Sequence, residues 1–545
     1  MPKRASDNAS ECNICAECTS CNRFEDGSRS IYVGSRCYPC CYFKNVFWPK
    51  KNYVTLAQIK SSFYAQFSTF GNNPGAINAI IKKITSHPLN DSTNRVELLG
   101  NDDKGIVDFV FIAFKIFGSK TESILLLYFL ILAISCGIFV KAFYRSLPHM
   151  FLLASILTLL YMVMPSIKYN PQLTSLMALR VFSILSIIAS LHCVSFLICP
   201  ISNKITKHAF WLSLLLVGAQ IAIIFFTIHI RITTIWQLFL ILGVAVYFLM
   251  VEGYKYWKIK HKMVIHSKNF VSITILCFIL VGYAALKSHR FFYYPIEYKN
   301  GTQILTRVFW HNIFSGFAFH PILADKYQLR IDDLSVIDAT AQYLKEKNEL
   351  AAIGNIETYD MRWSVYDAVV RKMFIERCKQ YPIECLETFF YYKPISFLGN
   401  IAWLYGLRQY PPDLDVFVSR QFGDVVKRQF IETTHLLDAR HQRVIFYSIV
   451  PFLVLLAFLI LLLGDGGGNK RDLMNSFKAV GLLFLGSLAP VIIGYPGAHT
   501  IAESAITFGA VIYMTIALLA YGVQKGFLCP MGAIIHEVEM EQYKL

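Results

Sequence analysis

About nine apolar runs, six before residue 287 and three after residue 442, leave this chain few folds. They read Ser123–Phe143, Met150–Ser166, Leu176–Cys199, Phe210–Ile230, Thr234–Val251 and Phe270–Leu286, then Val444–Leu463, Phe477–Ile493 and Ile501–Tyr521. A helix needs about 20 apolar residues to cross a hydrocarbon core roughly 30 Å thick. In that solvent a spanning segment bonds its own backbone groups, so the runs are expected to be helices. The expected fold class is an all-α integral membrane protein of about nine transmembrane helices. A mean hydropathy of +0.45 excludes an ordinary soluble enzyme of this length.

The division expected is a Cys-rich module over residues 1–50, linker and amphipathic helices over 51–120, and the first six spans over 121–286. An external, mainly helical domain follows over 287–442, then the last three spans over 443–521 and a cytoplasmic tail over 522–545. Orientation comes from the loop Glu252–Asn269, where Lys255, Lys258, Lys260, Lys262 and Lys268 face one acid, Glu252. Positive loops stay in the cytoplasm, so the next span delivers 287–442 to the outside. Much of the formal charge of +16 sits in such loops. No basic stripe interleaved with aromatics stands out, which argues against a nucleic-acid partner.

Half of the 14 cysteines fall between Cys12 and Cys41. Cys18-x2-Cys21 and Cys37-x2-Cys40, fifteen residues apart, fit the two thiolate pairs of a structural zinc ribbon. Disulfides and an iron–sulfur cluster compete for the same thiols, although the run lacks the x3 spacing and the proline of bacterial ferredoxins. Zinc is the preferred reading, and with four sulfurs it would be structural. The first residues are polar and no cleavable apolar run follows them. Counting back six spans puts residues 1–120 outside. One more crossing by Ile106–Phe117 would return them to the cytoplasm, where a zinc ribbon belongs, and that side is preferred. Against it, a dozen residues reach only about 18 Å, and Asp108 and Lys115 suit an interface-lying helix better.

The polar residues near the outer leaflet are the candidate chemistry. Arg180 lies about one turn inside the third span, and His229 and Arg231 end the fourth. Arg180 and Arg231 are the candidate anion-binding pair for a lipid phosphate, with snorkelling as the plain alternative for Arg231. His499 and Glu503 share a helix face as a metal pair would, yet Thr500-x-x-Glu503 also makes a capping box, and the cap is preferred. In the polar block, His311 and His320 bracket an aromatic run and Asp332 and Asp333 follow. These four are the candidate catalytic residues, a carboxylate serving as general base or metal ligand. Asp332 also reads as the cap of a helix over Leu334–Lys347. Further on, Asp367 and Arg371 read as an exposed i,i+4 pair, and Cys378 and Cys385 as thiols able to pair in an oxidising compartment.

Trp310-His311, then Gly316-x-x-x-His320-Pro321, then Asp332-Asp333 and Asp338 resemble the W-H…G-L-G…D-D-S order of an uncharacterised group of bacterial polytopic membrane proteins. That group carries the pattern in an external domain set between two sets of spans. The likeness covers about Leu305–Lys393 and the layout, departs at Gly316-Phe317-Ala318, and leaves out the cysteine module. It implies a multi-pass bacterial inner-membrane protein and no particular reaction. Two function classes follow. The first is an envelope enzyme, glycosyl or phosphoryl transferase-like, acting on a lipid-linked phosphate substrate in the outer leaflet. The second is a non-enzymatic scaffold or assembly factor binding protein partners through the external domain. A transporter ranks third, since no acid lies at a span centre and no repeat is visible.

Overall fold

The structure is a computed structural model that describes residues 105–118, 121–169, 179–199, 207–259, 267–293, 309–330, 333–355, 360–405, 449–464, 470–494 and 502–542. The cysteine module, with Cys18, Cys21, Cys37 and Cys40, lies outside the described residues, as do Asp332 and His499. The side chains of Arg180 and Asp333 are likewise not among those described.

The fold is built from helices, which in the membrane body are α1 Gly105–Phe117, α2 Thr121–Phe143, α3 Leu147–Tyr169, α4 Leu185–Ile198, α5 Lys207–Ile230, α6 Ile235–Ile259 and α7 Ser267–Tyr293. After the polar block come α14 Ile449–Gly464, α15 Lys470–Ile493 and α16 Ala502–Gln542. Among the described residues six stretches are long and apolar enough to cross a membrane: Ser123–Phe143, His208–Ile230, Ile232–Tyr254, Asn269–His289, Lys470–Ile493 and Ala502–Gln524. The other three expected spans coincide with shorter apolar stretches, Leu147–Val163, Phe182–Ile198 and the 16-residue α14.

The central element is α4. Only Phe196 and Ile198 of its residues escape full burial. Ser186, Ala189, Ser190 and Ser195 keep its sides thin enough for neighbouring helices to approach closely, the usual device where lipid supplies no hydrophobic drive between helices. Neighbouring helices are tied by polar bonds across the apolar core. Gln220 of α5 accepts from the Ser135 hydroxyl of α2 at 2.8 Å and donates to its carbonyl at 2.9 Å.

The extra crossing preferred for Ile106–Phe117 does not occur. The thirteen residues of α1 pack against α2 and α5, with Gly105 against the backbone of His229 at the end of α5. At 1.5 Å per residue such a helix reaches only about 20 Å, so α1 stays at the His229 end.

The polar block forms its own core. Its elements are α8 Phe309–Phe314, α9 Pro321–Lys326, α10 Asp333–Glu346, α11 Trp363–Gln380, α12 Pro382–Glu387 and α13 Lys393–Leu404, with a two-residue antiparallel pair, β1 Gly354–Asn355 and β2 Asp360–Met361. Phe314, Phe317, Tyr366, Val370 and Met373 are buried together in it. Asp367 is half-buried rather than exposed. Its Oδ1 accepts from the backbone N–H of Trp310 at 2.9 Å and caps the start of α8, while Arg371 lies over the Trp310 ring. Cys378 and Cys385 are joined by a disulfide, as their spacing allowed, closing the corner between α11 and α12.

The two bodies meet through α13. Phe397, Ile401 and Leu404 are buried in the membrane core, and the Tyr405 hydroxyl donates to Ala505 O at 2.6 Å. The block expected to be external over 287–442 therefore sends its last described helix into the bundle. Its expected first residues also continue a span, because α7 runs on to Tyr293.

Candidate metal centre

Helices α5 and α7 end on the same side of the bundle, so His229 in the last turn of one and His289 near the end of the other face each other, ring centroids 5.1 Å apart and edge to face. Helix α1 brings Asp108 between them. Asp108 Oδ2 lies 2.6 Å from His229 Nε2 and 3.1 Å from His289 Nε2, and one ligand atom from each residue falls within 4.8 Å of the others. The approach depends on Gly105, where a Cβ would collide with the His229 carbonyl. His229 is buried, whereas the Asp108 and His289 side chains are 35% and 39% exposed. The cluster is thus walled on the core side and open on the other.

Burial by itself would push the Asp108 carboxyl up. The hydrogen bonds and charges of His229, then of His289, outweigh it and hold the group below the ordinary value of 3.8. A depressed carboxyl stabilises the fold fully above its unfolded value, and that contribution is lost as pH falls through the lower folded value. Melting curves from pH 5 down to pH 2.5 should therefore show wild type and Asp108→Asn converging in acid. A gap that stays constant over that range would show that the carboxylate does not hold α1 in place.

Two imidazoles and a carboxylate form a donor set used for catalytic zinc and for non-haem iron, with positions left for water or substrate. One Asp108 oxygen, Oδ2, bonds both imidazoles, which brings the three groups together. No protein-family model matches this chain, and neither does any curated protein or solved structure. The site therefore rests on its own geometry.

The residues singled out from sequence scatter. His311 is buried, its Nδ1 2.7 Å from the Tyr366 hydroxyl, and so ties α8 to α11. His320 is buried as the N-cap of α9, its Nδ1 accepting from Leu323 N and its Nε2 3.1 Å from Glu387. Both bonds serve the domain's own packing. Asp333 is the first residue of α10, where a carboxylate favours the helix dipole. Arg180 falls in the 3-10 turn Leu179–Ile184 that leads into α4. Arg231 is half-buried just past α5, two residues from His229. Glu503 is buried in the first turn of α16, and its carboxylate accepts from Gln237 Nε2 of α6 at 2.5 Å, a bond between helices; Thr500, its expected capping partner, lies outside the described residues.

Of the three converging residues, His229 was singled out at the outer end of its span and Asp108 only as an obstacle to a crossing. His289 went unremarked. The signal was present: the fourth and sixth spans must leave the membrane on the same side, which puts residues 229 and 289 at one level.

Proposed function

We propose that this polytopic membrane protein is an enzyme that uses a divalent metal, held by Asp108, His229 and His289, on a phosphate group carried by a membrane lipid or lipid-linked substrate. The convergence of three ligand atoms within 4.8 Å on partly open side chains carries this reading. A metal there would polarise a phosphoryl oxygen or supply hydroxide at neutral pH. Arg231, two residues from His229, offers a guanidinium to the same phosphate.

The orientation follows from charge. Lys141, Lys207, Lys258 and Lys470 all lie toward the opposite end of the bundle, which makes that end cytoplasmic by the positive-inside rule. The Cys378–Cys385 bridge suits an oxidising exterior on the His229 side. With the three shorter apolar stretches counted as spans, the total is nine. The metal centre then sits in the outer leaflet, in keeping with the layout of the bacterial group that the W-H…D-D order resembles.

A scaffold function is the second reading, favoured by the exposed apolar stripe Ile383, Leu386 and Phe390, a surface suited to a protein partner. The two part in one experiment on the full chain in lipid nanodiscs, measuring bound zinc or manganese and phosphate release from a polyprenyl diphosphate. The enzyme reading expects metal-dependent release, reduced about 100-fold in Asp108→Ala and His289→Ala. Bound metal without turnover would favour the scaffold, and a chain that takes up no metal would end the metal-centre reading.

A further inference from the structure

At the other end of the bundle, three helices and the turn before α3 bring together a thiol, an imidazole, a hydroxyl and a carboxylate. Cys199 caps the C-terminus of α4 and is half-buried, with its Sγ 3.7 Å from His149 Nε2. The other ring nitrogen, Nδ1, lies 2.7 Å from Ser146 Oγ, and that hydroxyl donates to Asp472 Oδ2 at 3.1 Å. Because the Ser146 proton goes to Asp472, its oxygen accepts from the N–H at His149 Nδ1. The tautomer is then fixed, with Nε2 as the unprotonated nitrogen facing the thiol. A nucleophile in reach of a base that a third group orients is the signature of covalent catalysis. A thiol at a helix C-terminus gets no help from the dipole in losing its proton, so that task falls to the imidazole.

A second observation points to an occupant. Ser195, one turn back from Cys199 on the same face of α4, is fully buried, and its hydroxyl has no partner among the described residues. Some helical hydroxyls here bond the carbonyl four residues back, as Ser155 does to Phe151 and Thr227 to Ile223, whereas Ser195, like Ser190 and Ser476, does not. Among the described residues nothing accepts the Ser195 proton. His192, on the same face, is also fully buried, with both ring nitrogens unpartnered. Phe143 packs against both imidazoles, stacked flat on His149 at 4.5 Å and edge-on to His192.

The geometry points to Cys199 as a nucleophilic thiol that takes an acyl group from a long-chain acyl thioester. The sulfur attacks the thioester carbonyl carbon while His149 Nε2 accepts the thiol proton. Ser195 donates to the developing oxyanion. The carbonyl carbon–sulfur bond of the donor then breaks, and His149 returns the proton to the departing thiolate. One thioester is exchanged for another with no change of oxidation state. The site lies where apolar helices end, at the level where an acyl chain enters lipid and its polar carrier stays in water. It is independent of the metal centre, and its test needs no metal.

The full chain in detergent is pulsed with an alkynyl palmitoyl-CoA, and S-acylation is quantified at each cysteine by peptide mass spectrometry. His149→Gln, which loses the base, is the reference for uncatalysed transfer at the same position. Cys199 is expected to acylate in a hydroxylamine-labile adduct, and about 100-fold slower in His149→Gln. Ser195→Ala removes a hydroxyl that has no partner among the described residues, and it should slow Cys199 by about 100-fold. Equal Cys199 rates in wild type and His149→Gln, or in wild type and Ser195→Ala, overturn the site.

Discussion

Replacing Lys393 with alanine should cost about 3–5 kcal/mol and loosen the polar domain from the membrane bundle. Lys393 is fully buried, and its Nζ donates to the carbonyls of Ile492 at 3.1 Å, Ile493 at 3.2 Å and Gly494 at 2.8 Å. These are the last carbonyls of α15, which have no partner within their own helix, and the end of a helix favours a cation. The ammonium also lies 3.9 Å over the Phe389 ring. Gly316 is required beside it, since a Cβ there would collide with the lysine Cε and Nζ. One side chain thus joins the 3-10 turn after α8, the start of α13 and the end of α15.

Lys393→Met separates the causes, because it keeps much of the volume and loses the donors. It should still lose about 2–3 kcal/mol by reversible unfolding in mixed micelles. A Met variant within about 0.5 kcal/mol of wild type would show that the cap contributes little. Burial also pulls the Lys393 ammonium well below its ordinary 10.5. The unfolded chain then binds the extra proton, so stability should rise with pH from the folded value up to 10.5 and level off above it. The Met variant should lack that rise.

The second large effect is expected at Glu503. Its carboxylate accepts from Gln237 Nε2 and from the Ser183 hydroxyl, which links α16 to α6 and to the turn before α4. Glu503→Ala leaves both donors buried without an acceptor, at about 1–3 kcal/mol each. The expected total is about 3 kcal/mol, read as a lower midpoint of thermal unfolding in detergent. Glu503→Gln keeps an oxygen in place and should lose about 1 kcal/mol or less. Equal losses in the two variants would mean that the charge matters rather than the acceptor. That result would reopen a transport reading, in which an intramembrane acid has a functional task.

The apolar runs alone told where the helices lie, because a hydrocarbon solvent leaves the backbone no partner but itself. A described helix overlaps each of the nine runs, and the ends of α2, α5 and α15 match the expected boundaries Phe143, Ile230 and Ile493. The Cys378–Cys385 spacing was equally legible, since seven residues across a Pro382 turn bring two sulfurs together. The chemistry was much less so. His311 and His320 stood out because histidines beside aromatics look reactive in a linear reading, yet both bond within their own domain. Asp108 and His229 are 121 residues apart, and Ser146 and Asp472 are 326 apart. No local spacing encodes either meeting.

The apolar runs of the chain set its solvent and its helices. Both follow from composition that each segment carries alone. Only the tertiary structure decided that α1 folds back against α5 instead of crossing, that α13 enters the bundle, and which polar side chains meet at its two ends. Those outcomes depend on which faces of neighbouring helices fit together, at positions such as Gly105 and the serines of α4. In lipid that fit is set by shape and a few hydrogen bonds rather than by a hydrophobic drive, so it leaves little trace in any single segment.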